Sequence, residues 1–408
     1  MNIETRYTVD SKGRVRQWQC WSGEKEGKPG IFYTDGLVTG KMKDPIFKEA
    51  KEKNIGKANY ISPEAQSLLM VAQEVGKKER SNYFGTPELA RENKLWLPML
   101  CPSGMKWKDY AGTNKVSYPA FATPKLDGAR CNMFLKDGKV YSQTRTGKQW
   151  LNNAHIERAL EPFFKANPDI ILDGELYNHD FRDNFEDLMS IIKKQKPTEG
   201  QRRFAEENVE YHLYDIIDRR VPSELACDRV SVLSNTFDEN PKFHPFESNL
   251  VGLRGITPVE SEEVFNEKEF DDFHASCLEQ GYEGSILRLN QEYKVDGRAK
   301  QLLKRKELFD AEFKIIDVIE GEGTNKGIAA KIIIDNTTVS GMNTEHLKLM
   351  TTKSQDAGMA KGWDHDKCRE LLENKNDVIG MMATIEYFEV TSHGVLRFPK
   401  FKAIRDYD

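Results

Sequence analysis

The sequence predicts an α+β protein of two or three domains whose last hundred residues form a small β-barrel. The chain has 408 residues, which is more than a single hydrophobic core ordinarily serves. Strand and helix patterns mix between residues 119 and 309, whereas residues 310–408 are mostly strand-like, as expected of a small barrel. Residues 1–118 have β patterns followed by a helix, and form a third region.

Two hairpins are predicted at the N-terminus. Strands over residues 5–9 and 14–18 flank a turn at 10–13, and strands over 31–33 and 37–38 flank a turn at 34–36. Both turns contain Asp and Gly, the residues that short hairpin loops favour.

A helix is predicted to begin after Ser62. Serine is a favoured N-cap, and Pro63 suits the first helical position because its missing N–H has no partner there. Apolar residues at 65, 68, 69 and 72 predict the buried face. Residues 106–112 are expected to link this module to the next region.

The central region is predicted to alternate short strands and helices. A hairpin turns at Gly138, and in strand 209–217 the side chains of Tyr211, Leu213 and Asp215 are expected to share one face. The other expected elements are a helix over 156–164, a buried strand over 170–172, a helix over 269–280 and a strand over 285–288. Barrel strands are expected over 311–319, 329–334 and 382–390.

Composition and charge exclude several classes of protein. The apolar runs are too short to cross a bilayer, and residues 1–6 lack the apolar core of a signal peptide. No two of the six cysteines form a Cys-x-x-Cys pair, which argues against a zinc module and against a disulfide framework. The net charge is −5, but it is uneven. Basic residues exceed acidic ones by six in 1–118, whereas acidic residues prevail in the rest. The first region could therefore hold a polyanion, although an uneven solvated surface explains the charge equally well.

Lys125 is the candidate nucleophile, in the run Lys-Leu-Asp-Gly-Ala-Arg that ends at Arg130. A free lysine titrates near 10.4, so only about one in two thousand is neutral at pH 7. Bringing that pKa to neutrality costs roughly 4–5 kcal/mol, which burial and neighbouring cations such as Arg130 can supply. Taken alone, the run is equally consistent with a strand that ends in a tight turn with both cations solvated.

Six further polar clusters follow Lys125 in order. They are residues 142–148 with Arg145, 172–176 with Asp173 and Glu175, 212–215 with Tyr214, 281–284 with Glu283, 302–306 with Lys304 and Lys306, and 396–406 with Arg397, Lys400 and Arg405. The spacing of Lys304 and Lys306 predicts one face of a strand. Each cluster has an ordinary explanation: turn carboxylates, a core tyrosine, a solvated edge or surface arginines. Their joint occurrence carries the interpretation.

In this order the clusters resemble the motifs of the covalent nucleotidyltransferase superfamily, and specifically the ATP-dependent DNA ligases of small viral and bacteriophage type. The resemblance covers about residues 119–408. Thr123 to Arg130 looks like the first motif. Residues 173–175 look like the third motif, 214–215 like the aromatic-Asp pair that follows it, 283–284 like the fourth, 304–306 like the fifth and 397–406 like the sixth. Two departures are Tyr214, where Phe is common, and Tyr407, where many relatives carry lysine.

The resemblance implies a domain plan and a reaction. It implies an α+β nucleotidyltransferase (ATP-grasp-like ligase) domain over 119–309 and an OB-fold over 310–408. Residues 1–118 lie outside the resemblance, and their positive charge suggests a basic, β-rich DNA-binding module there. The implied enzyme is a monomer in the cytoplasm, of the host if viral. It seals 3′-OH/5′-phosphate nicks in duplex DNA through a lysyl-AMP and a DNA-adenylate, in replication, repair and recombination.

The resemblance also implies a role for each site residue. Lys125 attacks the α-phosphate of ATP, Lys304 and Lys306 neutralise that phosphate, and Tyr214 stacks on adenine. The backbone of Thr123, Pro124 and Lys125 reads the adenine edge, and Arg130 and Arg145 contact ribose and the 5′-phosphate of the nick. Glu175 and Glu283 bind ribose or Mg²⁺, which Mn²⁺ can replace. Arg397, with Arg405 or Lys400, closes over the β- and γ-phosphates.

Other readings of the chain remain open. A messenger-RNA capping guanylyltransferase shares the lysine chemistry, although the Arg397-Phe398-Pro399 run and the Thr123-Pro124 lead-in favour the DNA-ligase form. RNA ligases generally lack a barrel with this last motif, and NAD-dependent ligases carry a four-cysteine zinc module. A non-catalytic duplex-binding protein on the same scaffold is the alternative from another class. For residues 1–118 the alternatives are a grip on duplex DNA, suggested by Arg14, Arg16 and Trp18, and a stabilising or partner-docking domain.

Overall fold

The computed structural model describes residues 2–10, 13–79, 81–92, 96–103, 107–239 and 250–405. The chain divides into two compact units, Met1–Ser103 with Tyr110–Lys304, and Gly104–Asp109 with Arg305–Asp408. The linker predicted over 106–112 is divided between the two units. Trp107–Asp109 forms a short 3-10 helix that belongs to the second unit, and Lys106 lies outside the described residues.

The first sheet is antiparallel, in the order β1-β2-β3-β4, and two helices accompany it. Its elements are β1 (Glu4–Val9), β2 (Val15–Lys25), β3 (Lys28–Leu37), β4 (Ile46–Glu49), α1 (Pro63–Glu79) and α2 (Pro87–Glu92). The first predicted hairpin is confirmed as β1–β2. The second is wrong, because β3 runs unbroken through residues 34–36, and the β2–β3 turn falls at Glu26 and Gly27, both with positive φ.

Helix α1 begins at Pro63 as predicted, and the Ser62 hydroxyl accepts the Ala65 amide at 3.3 Å. The predicted buried face is wrong. Leu68 and Leu69 are 62% and 46% exposed, and Met70, Val71 and Val75 pack on the sheet instead. The helix is therefore seated by a different apolar stripe.

The central sheet of the first unit has the order β11-β10-β9-β7-β8 and is antiparallel except at β10–β11. Helices α3 and α4 pack into the large core on one of its faces. The strands and helices of this region are β7 (Ala129–Lys136), β8 (Lys139–Gln143), α3 (Ala154–Ala166), β9 (Ile170–Tyr177), α4 (Phe185–Ile192), α5 (Glu199–Asn208), β10 (Glu210–Asp218), α6 (Ala226–Phe237) and β11 (Ile256–Pro258), with a 3-10 helix at His179–Asn184.

Strands β9 and β10 differ from prediction in ways that place the site residues. Strand β9 continues to Tyr177, so Asp173 and Glu175 lie inside a buried strand and not at its end. A bulge in β10 pairs Leu213 with Gly174 and Asp215 with Asp173, which leaves Tyr214 as the extra residue. The bulge reverses the facing of later residues, so Ile216 and not Asp215 joins Tyr211 and Leu213 in the core.

A second sheet of the same unit, in the order β12-β6-β13-β15, carries Lys125 just past the end of one strand. Its elements are β6 (Ala120–Pro124), β12 (Glu262–Val264), α7 (Glu267–Glu279), β13 (Ser285–Leu289) and β15 (Leu302–Arg305). A parallel pair joins β5 (Met99–Leu100) to β14 (Gly297–Arg298). Strand β15 ends at Arg305, so the prediction that Lys304 and Lys306 share a strand face is wrong.

The second unit contains the predicted C-terminal barrel, closed in the order β16-β17-β18-β20-β19. Strands β18 and β20 are parallel and the other pairs antiparallel, and a five-stranded Greek-key barrel of this kind is an OB-fold. Its elements are β16 (Phe309–Glu320), β17 (Ala329–Ser340), α8 (Thr344–Leu349), β18 (Ser354–Met359), α9 (His365–Glu373), α10 (Lys375–Val378), β19 (Met382–Tyr387) and β20 (Lys400–Arg405), with a 3-10 helix at Gly323–Asn325.

Candidate active site

A cavity of about 460 Å³ in the first unit collects most of the predicted site residues. Its walls come from the central sheet on one side and from β6, β13 and β15 on the other. It is lined by Leu100, Cys101, Thr123, Lys125, Leu126, Arg130, Arg145, Thr146, Glu175, Tyr214, Ile286, Arg288, Arg298, Leu302 and Lys304. Six of these side chains are basic and one is acidic, so the cavity suits a polyanion. Pro124 lines a neighbouring cavity instead.

Lys125 follows the last residue of β6, where its backbone N–H donates to the Gly284 carbonyl at 2.9 Å. Its ammonium group forms an ion pair with Glu283, whose side chain is 5% exposed. Burial lowers the pKa of Lys125, but the carboxylates of Glu283, Glu175 and Asp127 outweigh it, and the pKa is raised. The expectation that neighbouring cations depress this pKa therefore does not describe the arrangement seen, in which Glu283 keeps the amine protonated.

Gly128 explains the Asp-Gly that follows the lysine. A Cβ at this position would lie 2.4 Å from the Leu176 carbonyl oxygen and 2.7 Å from Cγ of Glu175. Only glycine lets the chain pass this close to β9, and this close passage brings the end of β6 next to Glu175.

Arg130, on β7, is fixed by a buried carboxylate. Its Nε and Nη2 atoms each donate to Asp173 at 2.6 Å, and its guanidinium lies 5.1 Å from the centre of the Tyr214 ring. Arg130 therefore has a fixed direction, and Asp173 offsets part of its charge. The bidentate geometry is the one that arginine makes best.

Glu175 and Tyr214 meet at the bulge between β9 and β10. Burial raises the pKa of Glu175 to about 7, while Arg130, Lys125 and a hydrogen bond from the Tyr214 hydroxyl act in the opposite direction. A carboxyl group with this pKa can exchange its proton near neutral pH.

This pKa predicts a pH effect on stability. Between pH 4.5, the ordinary glutamate value, and about 7, the folded protein binds more protons at Glu175 than the unfolded chain, so this group makes the protein less stable as pH rises. We expect Glu175→Gln to remove that loss, so that the variant gains melting temperature relative to the parent from pH 4.5 to 7.5. Exposed Glu207→Gln is the control, and parallel pH profiles for E175Q and the parent would contradict the assignment.

Several cavity residues were not anticipated as site residues. Leu100 and Cys101 come from β5 and the residue after it, and Arg298 comes from β14; its Nη1 donates to the Cys101 carbonyl at 2.8 Å. The β5–β14 pairing joins segments about 200 residues apart, and local periodicity contains no signal for such a pairing. Arg288, the last residue of the strand predicted over 285–288, lines the cavity with its guanidinium paired to Asp215.

The remaining predicted residues lie in the second unit. Nζ of Lys306 is 4.5 Å from the centre of the Phe388 ring, and Arg397 pairs with Glu389 at 2.6 Å and lies over the rings of Phe388 and Phe398. Nε of Arg405 lies 3.1 Å from Glu312, and Lys400 is on β20. Asp406 and Tyr407 lie outside the described residues, so the departure at Tyr407 stays a sequence observation.

Among the residues that the structure describes, no group of three His, Cys, Asp or Glu side chains converges on a metal position. Glu283 and Glu175 nonetheless both raise the pKa of Lys125, so both carboxylates lie within electrostatic reach of its ammonium group. In the same described part of the chain, no helix is both long and apolar enough to cross a bilayer.

Comparison with known proteins finds a matching family model, similar sequences and a similar solved structure. A family model for the ATP dependent DNA ligase domain matches residues 98–306, just over half of the chain. A DNA ligase of African swine fever virus is 28% identical over 197 residues, covering 46% of this chain and 41% of the viral protein. A DNA ligase of Enterobacteria phage T4 is 23% identical over 265 residues, covering 55% and 53%.

The match extends over only about two fifths to one half of the length of these curated relatives. A solved structure named Pmar-Lig_Pre superposes with a TM-score of 0.60 at 22% identity, covering 85% of this chain and 75% of that one. At such an identity the superposition concerns the fold alone.

Proposed function

Because the chain belongs to the family of ATP-dependent DNA ligases, we propose that it seals nicks with 3′-hydroxyl and 5′-phosphate ends in duplex DNA. The observation that carries the proposal is the position of Lys125, which stands after β6 in a cavity whose other charged lining is five cations and one carboxylate. This cavity offers a lysine nucleophile in surroundings that attract a nucleoside triphosphate.

The proposed reaction begins at Nζ of Lys125. The ammonium group must first lose a proton. When its ion pair with Glu283 weakens, the lowering effect of burial is less opposed, and the pKa of Lys125 falls. The neutral amine then attacks the α-phosphorus of ATP, a P–N bond forms, and pyrophosphate leaves with the electrons of the broken P–O bond. The nick 5′-phosphate next takes the AMP from Lys125, and attack by the 3′-hydroxyl releases AMP as the strand closes.

The other cavity residues have supporting roles in this proposal. Lys304, Tyr214, Thr123 and Lys125 all line the cavity. We assign neutralisation of the α-phosphate to Lys304, stacking on adenine to Tyr214, and contact with the base edge to Thr123 and Lys125. Arg130 and Arg145 suit ribose and the nick 5′-phosphate. Lys306 and Arg397, on the second unit, would contribute phosphate contacts of their own.

We also propose that a divalent cation is held by carboxylates of the site. Mg²⁺ commonly takes one or two carboxylates together with phosphate oxygens and water, and Glu175 and Glu283 are the two candidates. When bound, it would stabilise charge on the phosphates. Binding to Glu283 would compete with the ion pair to Lys125, which connects metal binding to release of the nucleophile.

A sealing assay tests the proposal. A labelled nicked duplex is incubated with Mg²⁺ and with ATP, GTP or NAD⁺ in separate reactions, and the joined strand is separated on a denaturing gel. We expect joining with ATP alone, and only when the nick carries a 5′-phosphate. Parallel reactions with ATP or GTP labelled in the α-phosphate show transfer to the protein. Transfer of GMP without joining would favour the capping reaction, and no nucleotide transfer would favour a binding protein.

We also infer that residues 1–118 form a module that grips duplex DNA, followed by the adenylation domain over 119–309 and the OB-fold domain over 310–408. Trp18 does not support the grip, because it is 3% exposed and part of the core, and Arg14 and Arg16 pair with Asp10 and Asp35. Support comes from residues 41–57, which hold six lysines against three acidic residues. All six lysines are exposed: Lys41, Lys43, Lys48, Lys51, Lys53 and Lys57.

The lysines of 41–57 predict a salt-dependent contribution to DNA affinity. Joint replacement of Lys51, Lys53 and Lys57 by glutamate should weaken binding to a nicked duplex and make the slope of log K against log salt shallower by about 2–3, since each phosphate contact contributes roughly 0.9. Titrations at several salt concentrations measure the slope. The control replaces the exposed Lys139, Lys165 and Lys348 together, and an unchanged slope in the first variant would contradict the grip.

A further inference from the structure

Tyr293 lies beside the cavity without lining it. It follows β13, and it is 8% exposed. Its hydroxyl accepts the backbone N–H of Met99 at 2.8 Å and donates to Oδ2 of Asp173 at 2.6 Å. The phenolic oxygen of Tyr293 therefore connects the backbone of Met99, which precedes the cavity-lining Leu100, to the buried carboxylate of Asp173 on the central sheet.

The same carboxylate holds Arg130. Asp173 is completely buried and accepts both Nε and Nη2 of Arg130, while Nη2 also donates to the Met99 carbonyl at 3.2 Å. Tyr293, Asp173, Arg130 and Met99 thus close a ring of hydrogen bonds. Arg130 is the only one of the four that lines the cavity.

We propose that Tyr293 is a positioning residue that tunes Arg130, through Asp173, for the 5′-phosphate of the nick. The inference rests on the proposed function. It adds a residue to that site, since none of the motifs that led to the proposed function contains Tyr293. The residue touches no substrate, and its effect passes through the carboxylate.

Two physical effects support this role. The hydroxyl draws negative charge from Oδ2 of Asp173, so that less of the Arg130 charge is offset and more is available to an incoming phosphate. It also fixes Asp173 and Met99 relative to each other, which limits the directions open to the guanidinium. Burial raises the pKa of Tyr293 far above its ordinary value, so the phenol stays a donor at every working pH.

Tyr211 supplies a matched control. It is a fully buried tyrosine on β10 whose hydroxyl donates to the carbonyls of Cys131 and Leu172 at 3.0 and 2.9 Å. Y211F and Y293F each remove one buried hydroxyl of a tyrosine in the same unit. Only Y293F removes a contact to the carboxylate that holds Arg130.

The experiment compares the affinity of the AMP-loaded protein for two nicked duplexes, one ending in a 5′-phosphate and the other in a 5′-hydroxyl, in EDTA so that AMP stays on the protein during the titration. Mass spectrometry confirms the AMP load, and melting temperature checks folding. We expect the preference for the 5′-phosphate to fall about tenfold in Y293F, the effect of one hydrogen bond to a charged group, and to stay at the parent value in Y211F.

Two results would overturn the inference: an unchanged preference in Y293F, or an equal loss in Y211F, which would mark a merely structural hydroxyl. Failure of the parent chain to take up AMP or to bind nicked duplex would instead refute the proposed function. If Y293F melts near the assay temperature, all three proteins are titrated at a lower temperature at which their melting curves show them folded, and the same two results would overturn the inference.

Discussion

Replacing Lys125 with alanine is expected to abolish transfer of AMP to the protein and, with it, the sealing of ordinary nicks. The side chain supplies the only atom in the account that forms a bond to the α-phosphorus, so we expect a loss of at least about a thousandfold. The measurement is covalent labelling with ATP followed by a sealing assay. A nick that already carries AMP on its 5′-phosphate needs no lysine nucleophile, and K125A should still seal it at a measurable rate.

Lys165 provides the control for this prediction. It is an exposed lysine in the last turn of α3 that pairs with Glu161 on the same helix, and K165A should label and seal as the parent does. Full sealing of ordinary nicks by K125A would refute the assignment of the nucleophile. Equal loss on ordinary and preadenylated nicks would show that Lys125 serves the fold or the DNA and not the transfer step.

Replacing Asp215 with alanine is expected to cause the largest loss of stability. Asp215 and Arg229 are each 1% exposed, and the carboxylate pairs with both Arg229 and Arg288. Removing one partner of a buried ion pair leaves a charge without compensation and typically costs about 3–5 kcal/mol. We expect D215A to lose this much of the free energy of unfolding of the first unit, measured by chemical denaturation.

The control for Asp215 lies on the same strand. Asp218 pairs with Arg220, whose side chain is 65% exposed, and water screens that pair. Asp218→Ala should therefore cost less than about 1 kcal/mol. Similar losses for the two variants would show that burial of the Asp215 cluster contributes little to the stability of the fold.

Much of the site could be predicted because its residues sit in short, ordered motifs. Lys125, Glu175, Tyr214 and Lys304 recur in one order along the chain, and the structure gathers them, with Arg130 and Arg145, on one cavity. Strand patterns predicted β10, the first residues of β9, and three of the five barrel strands, β16, β17 and β19. They did not predict the bulge at Tyr214, because a bulge depends on two strands and periodicity is read along one.

The errors have a common physical origin in long-range contacts. Residues 34–36 look like a turn by composition, but pairing along the whole of β2 holds them in β3. Leu68 and Leu69 satisfy a helical apolar stripe, yet the sheet beneath α1 packs against Met70 and Val71. Arg298 lines the cavity because β14 pairs with β5, and no local sequence pattern predicts that pairing.

Lys125 is proposed to carry AMP from ATP to nicked DNA, and a label-transfer experiment follows both transfers in one protein sample. The parent chain is incubated with Mg²⁺ and ATP labelled in the α-phosphate, separated from free nucleotide, and then mixed with nicked duplex. We expect an acid-labile AMP label on Lys125 that leaves the protein as the nick closes. A protein that takes up no AMP, or whose label stays in place while nicked duplex is present, would refute the role of Lys125.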